Sequence, residues 1–136
     1  MPWDSFYRET QDTIRGGADL NHKGKNGITL LHYWVNAGRL DIVELLLDGK
    51  ADINLTEDSN WTALHFAAAH GNLELVKLLV SRGADVQALA DGTAKPGLLD
   101  RLLGRTAKVK LTPCAAARNA GHQAVADYLG GHQATG

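Results

Sequence analysis

Apolar residues recur along two stretches of the chain with the spacing of an amphipathic α-helix. Residues three and four apart lie on one face of a helix, so each stretch is predicted to carry a continuous apolar stripe. The stripes consist of Leu40, Val43, Leu46 and Leu47, and of Leu73, Val76, Leu79 and Val80. The remaining, solvent-facing sides carry charged residues, among them Glu44 and Glu74. Since the second stripe repeats the first 33 residues later, the chain is predicted to consist of copies of one unit.

Each copy begins with a threonine and has a glycine between its two helices. Thr29, Thr62 and Thr112 precede apolar stretches, where the hydroxyl oxygen can accept a hydrogen bond from a free backbone N–H and cap the helix. Glycine is the residue most easily placed at a left-handed helix end, and Gly38, Gly71 and Gly121 follow the first helices. Such self-similarity is typical of stacked repeat proteins, in which each unit buries its apolar face against its neighbours.

The motif Thr-x-Leu-His at 29–32 and 62–65, with Ala-Asp-Ile-Asn at 51–54, resembles the ankyrin repeat, in which two short antiparallel helices are joined to the next pair by a turn. The resemblance covers residues 17–129 except for one insertion. It implies an all-α fold, an ankyrin-repeat solenoid of about three full helix-turn-helix repeats with an N-terminal capping helix. We expect a single domain over residues 1–136. Its parts are a cap or partial repeat at 1–21, repeats at 22–54 and 55–87, a long inter-repeat insertion at 88–111 and a C-terminal capping repeat at 112–130.

Two residues depart from the pattern. Lys50 stands where the next copy has Gly83, and a lysine with positive φ there would be strained by about 1 kcal/mol. Trp34 occupies a position at which the next copy has the small Ala67. The ring must either displace a neighbour or lie at an open end of the stack, and we favour the open end.

The insertion separates the second and third copies. Residues 94–97 are predicted to form a turn and the leucine-rich residues 98–103 a short helical segment, whereas residues 104–110 are basic and predicted to be exposed. Insertions in repeat proteins map to one face, often the binding face. A tolerated surface loop is equally compatible with the sequence, because long loops cost little closure entropy.

Composition narrows the classes of partner. The chain has 14 basic and 15 acidic residues and a formal net charge of -1, so neither nucleic acid nor an anionic membrane is an expected partner. No secretory signal or membrane-spanning run is recognised in the sequence, and the one cysteine, Cys114, excludes an internal disulfide. We therefore expect a soluble, cytoplasmic protein.

No catalytic or metal-binding pattern is found. His32 and His65 hold the histidine position of the motif, and the resemblance implies that their imidazoles bridge backbone groups of adjacent loops. Cys114 replaces the leucine of the motif and is predicted to be a small buried apolar residue. Sequence motifs for phosphate or dinucleotide binding and for a serine nucleophile are absent. We expect no enzyme activity, cofactor or metal. Of the functions considered, an enzyme whose active site lies in the insertion is the least supported hypothesis.

The resemblance implies that a partner would contact the turn tips and the concave face of the first helices. Mapped onto this chain, the predicted partner-binding residues are Ile28, Tyr33, Asn36, Ser59, Trp61, Phe66, Ala69, His70 and Leu111. Trp61 is the strongest candidate, because tryptophan is favoured as an interface anchor. The alternatives are that its ring folds over its own repeat or packs beneath the insertion.

The function expected from these features is protein–protein interaction, as a stand-alone adaptor or inhibitor of one partner protein. An enzyme inhibitor and a toxin-neutralising immunity protein are two examples. The alternative is a self-associating structural or scaffold protein, motivated by Trp34 at an open end and by the leucines of the insertion. Between a monomer and a self-associated oligomer, we favour the monomer.

Overall fold

The computed structural model describes residues 2–17, 19–93, 102–104 and 108–134. Within these residues the α-helices are α1 (Pro2–Arg15), α2 (Leu30–Asn36), α3 (Leu40–Asp48), α4 (Ala63–His70), α5 (Leu73–Ser81), α6 (Pro113–Asn119) and α7 (Gln123–Ala134). A 3₁₀ turn spans Lys25–Gly27, and two strands, β1 (Ala90–Thr93) and β2 (Lys108–Leu111), lie between α5 and α6. The prediction of a mainly helical repeat solenoid is confirmed, with one small sheet added.

The helices form pairs, and the first helices of successive pairs stack on one another. α2 packs against α4, α4 packs against α6, and each first helix packs against the second helix of its own pair. The predicted stripes supply much of the core, since Val43, Leu46, Val76 and Leu79 are fully buried. Small residues of α4 and α6, such as Ala67 and Ala117, are buried where the first helices meet.

The predicted caps are present at the first helices. The hydroxyl oxygens of Thr29, Thr62 and Thr112 each accept a hydrogen bond from the backbone N–H three residues on. Gly71 ends α4 in the left-handed conformation with φ 74°. Lys50 also has a positive φ, 75°, which is the backbone conformation in which a lysine is expected to be strained.

The expectation for Trp34 is wrong. Its ring is 0% exposed, and its indole N–H donates a hydrogen bond to the hydroxyl of Thr10 in α1 at 3.2 Å. The ring does not lie at an open end, because Thr10 of α1, which is itself 1% exposed, lies against it. Trp34 therefore belongs to the core and offers no surface for self-association.

The insertion begins and ends as a β-hairpin, which the sequence analysis did not predict. β1 and β2 are antiparallel, with Ala90 opposite Leu111 and Asp91 opposite Lys110. Lys110 and Asp91 also form an ion pair. Most of the turn and short helical segment predicted at 94–103 lies outside the described residues; Leu102 and Leu103, which are described, are exposed.

Candidate functional site

The turn tips are held in place by two buried histidines. His32 lies in a capping box with Thr29, whose backbone N–H donates to its Nδ1 at 3.2 Å. Its Nε2 then donates to the carbonyl of Trp61 in the next tip at 3.2 Å. His65 repeats the arrangement, with its Nδ1 accepting from Thr62 and its Nε2 donating to the carbonyl of Leu111 at 2.8 Å. The predicted bridging role is thus confirmed for both imidazoles.

These contacts leave the two histidines neutral and structural. Burial lowers the pKa of both His32 and His65, and the hydrogen bonds to the Trp61 and Leu111 carbonyls oppose that shift only in part. Both ring nitrogens of each imidazole are engaged, so neither is available to bind a metal or to transfer a proton. In the described part of the chain, no group of three or more metal-ligating side chains is found.

The Trp61 side chain, the strongest candidate for a partner contact, does not project freely from the second tip. The side chain is half-buried, and its indole N–H donates to the carbonyl of Asp91 in β1 at 2.8 Å. The ring also lies 5.6 Å from the His65 ring and 5.3 Å from the Phe66 ring, centroid to centroid. The alternative in which this ring packs beneath the insertion is therefore the one that the structure shows.

The hairpin covers more of the second tip than the tryptophan alone. The backbone N–H of Asp91 donates to the carbonyl of Ser59 at 2.9 Å, and the side-chain amide of Asn60 donates to the Asp91 carboxylate at 3.3 Å. The Ser59 side chain remains exposed beside this contact. Of the two tip residues predicted in this copy, Ser59 is thus accessible and Trp61 is largely engaged.

Leu111 is also inaccessible, in contrast to its predicted role. It is 8% exposed and packs against Gly92 on the opposite strand. Gly92 is required there, because a Cβ at this position would overlap the Leu111 side chain. The Leu111 side chain is therefore part of the packing between the two strands, and its burial does not support the predicted role in partner contact.

The remaining predicted residues lie mainly along the first helices α2 and α4. Tyr33 is 38% exposed, Asn36 and His70 are exposed, and Phe66 and Ala69 are half-buried. The Nε2 of His70 donates to the Oδ1 of Asn36 at 2.8 Å, which joins the exposed ends of the two helices. We call these five residues the first-helix row.

Phe66 occupies a fixed position within this row. Its ring lies 5.3 Å from the Trp61 ring and meets the His32 ring edge-on at 5.5 Å. Aromatic pairs at these separations stabilise one another beyond simple burial. The half-buried Phe66 ring is therefore held in place by its aromatic neighbours.

Ile28 lies apart from the row, at the first tip. It is half-buried and lines a cavity of about 750 Å³ together with Leu20, Leu30 and Tyr33. Tyr33 thus borders both the first-helix row and this cavity.

Asp91, which joins the hairpin to the second tip, is not among the residues predicted from the sequence. The alternation of Lys108, Val109, Lys110 and Leu111 was a usable signal for a strand, since side chains two apart share one face of a strand. No comparable signal marks β1, whose sequence Ala-Asp-Gly-Thr has low strand propensity.

Comparisons with known proteins bear on this arrangement. A family model described as ankyrin repeats (3 copies) matches residues 9–90, which is more than half of the chain. The comparison with curated proteins found no match. Among the described residues, no helix has both the length and the apolar composition needed to cross a membrane.

Proposed function

The chain belongs to the ankyrin-repeat family, and we propose that it is a small adaptor or inhibitor that binds one partner protein through its first-helix row. Ankyrin repeats indicate a protein–protein interaction module, and the family is typically non-catalytic. What we propose beyond this is that the first-helix row is the contact surface and that the protein acts as an adaptor or inhibitor.

The observation that carries the proposal is the hydrogen bond between His70 and Asn36. It orders two exposed side chains from neighbouring repeats, and His70 follows the half-buried Phe66 by four residues, one turn along α4. Side chains that are already ordered lose less conformational entropy on binding, and an aromatic anchor flanked by polar groups is typical of an interface centre. Tyr33 extends the same surface at the edge of α2.

The geometry supports a smaller contact set than the sequence did. The proposed contacts are Tyr33, Asn36, Phe66, Ala69 and His70, with Ser59 at the rim. Trp61 contributes by holding Phe66 in position and not by direct contact. Leu111 has no place in the set because its side chain is buried.

An enzyme inhibitor and a toxin-neutralising immunity protein remain the two concrete forms of this function. Both act by covering a partner's surface, which requires a rigid row and no chemistry of the chain's own. A cytoplasmic location is part of the proposal, and the free thiol of Cys114 is compatible with a reducing compartment.

Affinity capture from native lysate, read by quantitative mass spectrometry, tests the proposal. The row variant Asn36→Ala/His70→Ala is compared with Glu44→Ala/Glu74→Ala, which changes two exposed residues of α3 and α5. We expect one protein to be retained by the wild type and the control and lost by the row variant. Equal retention by all three folded proteins would show that the first-helix row is not the contact surface. No retention by the wild type would contradict the proposal.

Self-association is the second candidate function. Leu102 and Leu103 are 74% and 52% exposed, and exposed apolar residues often mark contacts between copies. The second reason to expect self-association was an exposed Trp34, and this side chain is buried. Light scattering at high protein concentration decides: a dimer mass that falls to the monomer mass in Leu102→Ser/Leu103→Ser supports self-association, and a monomer mass for the wild type contradicts it.

A further inference from the structure

The two ends of the described hairpin have different surroundings. At its base, Ala90 and Leu111 lie opposite each other and are buried, and the Leu111 carbonyl accepts a buried hydrogen bond from His65 at 2.8 Å. Asp91, one residue further along β1, is exposed. The base is therefore anchored to the repeat core, whereas the next residue contacts the second turn tip, at residues 57–61, from the surface.

Asp91 joins the hairpin to this tip through its backbone and its side chain. Its backbone N–H donates to the Ser59 carbonyl at 2.9 Å, and its own carbonyl accepts from the indole N–H of Trp61 at 2.8 Å. Its carboxylate accepts from the side-chain amide of Asn60 at 3.3 Å. All three hydrogen bonds that the described residues show between the hairpin and this tip thus involve Asp91.

These contacts are individually weak because they lie at the surface. The hydrogen bonds from Trp61 and Asn60 are exposed, and the ion pair between Asp91 and Lys110 joins side chains that are 49% and 59% exposed. Such exposed hydrogen bonds and ion pairs each contribute little to stability. Separation of the hairpin from the tip therefore requires much less free energy than unfolding of the repeats.

The contact reaches the first-helix row through two aromatic rings. The Trp61 ring lies 5.3 Å from the ring of Phe66, which is a member of the row. While the Asp91 carbonyl accepts the indole N–H, the Trp61 ring is held in one orientation and gives Phe66 a fixed neighbour. A side chain that is already fixed loses less conformational entropy when a partner binds.

We propose that the insertion hairpin is a strap that controls the first-helix row. When it is docked on the second tip through Asp91, the row is in its binding-competent form, and when it separates, Phe66 loses its fixed position and partner binding weakens. Asp91 lies outside the row, so it is a positioning residue for Phe66. The effect on a partner rests on the proposed function, whereas the docking and its effect on Phe66 do not.

The test is NMR of the full chain, labelled with ¹⁵N-tryptophan and para-fluorophenylalanine. Hydrogen exchange of the Trp61 indole N–H reports the docking of the hairpin, and the fluorine resonance of Phe66 reports the surroundings of that ring. The chain contains three tryptophans and two phenylalanines, so Trp61→Phe and Phe66→Leu assign the two signals.

The test variant is Asp91→Pro, which removes the N–H donor and the carboxylate. It leaves the pairing with β2 in place, because the Asp91 N–H points to Ser59 and not to the opposite strand. The matched control is Lys110→Ala on that strand, which removes the ion pair but none of the hydrogen bonds to the tip. Asp91→Ala, which keeps both backbone contacts, serves as a milder variant if Asp91→Pro does not fold.

We expect the Trp61 indole N–H to exchange at least about tenfold faster in Asp91→Pro, because two hydrogen bonds are lost. In Lys110→Ala the change should be less than about threefold. The Phe66 resonance should move in Asp91→Pro and stay near its wild-type position in Lys110→Ala; Asp91→Ala should lie between them. Unchanged exchange in a folded Asp91 variant, or faster exchange with an unmoved Phe66 resonance, would overturn the proposal.

The consequence for binding is measured with the protein that the wild type captures. The Kd of Asp91→Pro for this protein should rise in proportion to the fall in the docked fraction, which the Phe66 resonance reports. An unchanged Kd despite a lower docked fraction would overturn the strap and leave the row as the contact surface. Failure of the wild type to capture any protein would instead contradict the proposed function, while the NMR result still decides the docking.

Discussion

The indole N–H of Trp61 donates to the backbone carbonyl of Asp91 at 2.8 Å, so the second turn tip is tied to the first strand of the insertion. This contact has two consequences. It places the ring of Trp61 against His65 and Phe66, and it makes the hairpin part of the repeat stack. A residue that the sequence marks as a binding anchor thereby acts as a structural connection.

The contact predicts that Trp61 contributes to stability. Trp61→Ala should lower the free energy of unfolding by about 1–3 kcal/mol, because it removes half-buried aromatic contacts. Trp61→Phe keeps a ring but removes the N–H donor, and should cost about 1 kcal/mol. Urea denaturation measures both values, with the exposed Ser59→Ala as the control within about 0.5 kcal/mol. A cost below about 0.5 kcal/mol for Trp61→Ala would indicate that the ring makes no stabilising contacts, and would contradict the packing described here.

A second prediction concerns the core between α4 and α5. Leu79 is fully buried, and Leu79→Ala should lower the free energy of unfolding by about 2–5 kcal/mol through lost burial and a residual cavity. Leu45→Ala deletes the same atoms from a leucine that is 37% exposed and should cost only about 1–2 kcal/mol. Thermal and urea unfolding of the pair tests this, and equal losses would contradict the assigned packing.

The positive φ at Lys50 predicts that two exchanges of lysine and glycine change stability in opposite directions. Lys50 has φ 75° and Gly83, its counterpart in the next repeat, has φ 95°. Lys50→Gly should raise stability by about 0.5 kcal/mol, because relief of the strain exceeds the entropy lost on folding a glycine. Gly83→Lys should lower it by about 1 kcal/mol, and the described residues place no atom within 4 Å of the added Cβ. Tm shifts of the same sign for the two variants would contradict this account.

Stability should also fall in mild acid. Burial lowers the pKa of His32 and His65 below the ordinary value of 6.5. Below about pH 6.5 the unfolded chain therefore binds protons that the folded protein does not, so the free energy of unfolding decreases as the pH falls. Their contribution to stability is fully present above this pH and is lost progressively below it.

Urea midpoints at about pH 7.5, 6.5 and 5.5 measure this dependence. The variant His32→Gln/His65→Gln should be less stable than the wild type at about pH 7.5 but show a flatter decline, since glutamine does not titrate. An equally steep decline in that variant would assign the acid sensitivity to other groups.

Much of the fold was predictable because its determinants are local. Thr62 and His65 are three residues apart and form a capping box, and Gly71 ends the same helix with positive φ. These signals repeat at a fixed period, so the helix pairs and their stacking follow from short segments. The family match at residues 9–90 and the helical structure confirm that prediction.

The errors arose where a side chain's surroundings come from distant residues. The buried indole N–H of Trp34 donates to Thr10, 24 positions away in the sequence, and that of Trp61 donates to Asp91, 30 positions away. The repeat period alone predicts Leu111 at a turn tip, because the sequence of β1 gives no signal that a strand packs against it. Positions on a repeat can be assigned from periodicity, but their exposure depends on what an irregular insertion or cap places over them.

The central claim is that the first-helix row binds a partner protein, and the Kd for the captured partner tests it most directly. Isothermal titration calorimetry compares the wild type, Asn36→Ala/His70→Ala and the control Glu44→Ala/Glu74→Ala, each verified as folded. The account predicts binding at least tenfold weaker for the row variant, a loss of about 1.4 kcal/mol or more, and a control within about twofold of the wild type. A row variant that binds as tightly as the wild type would contradict the account.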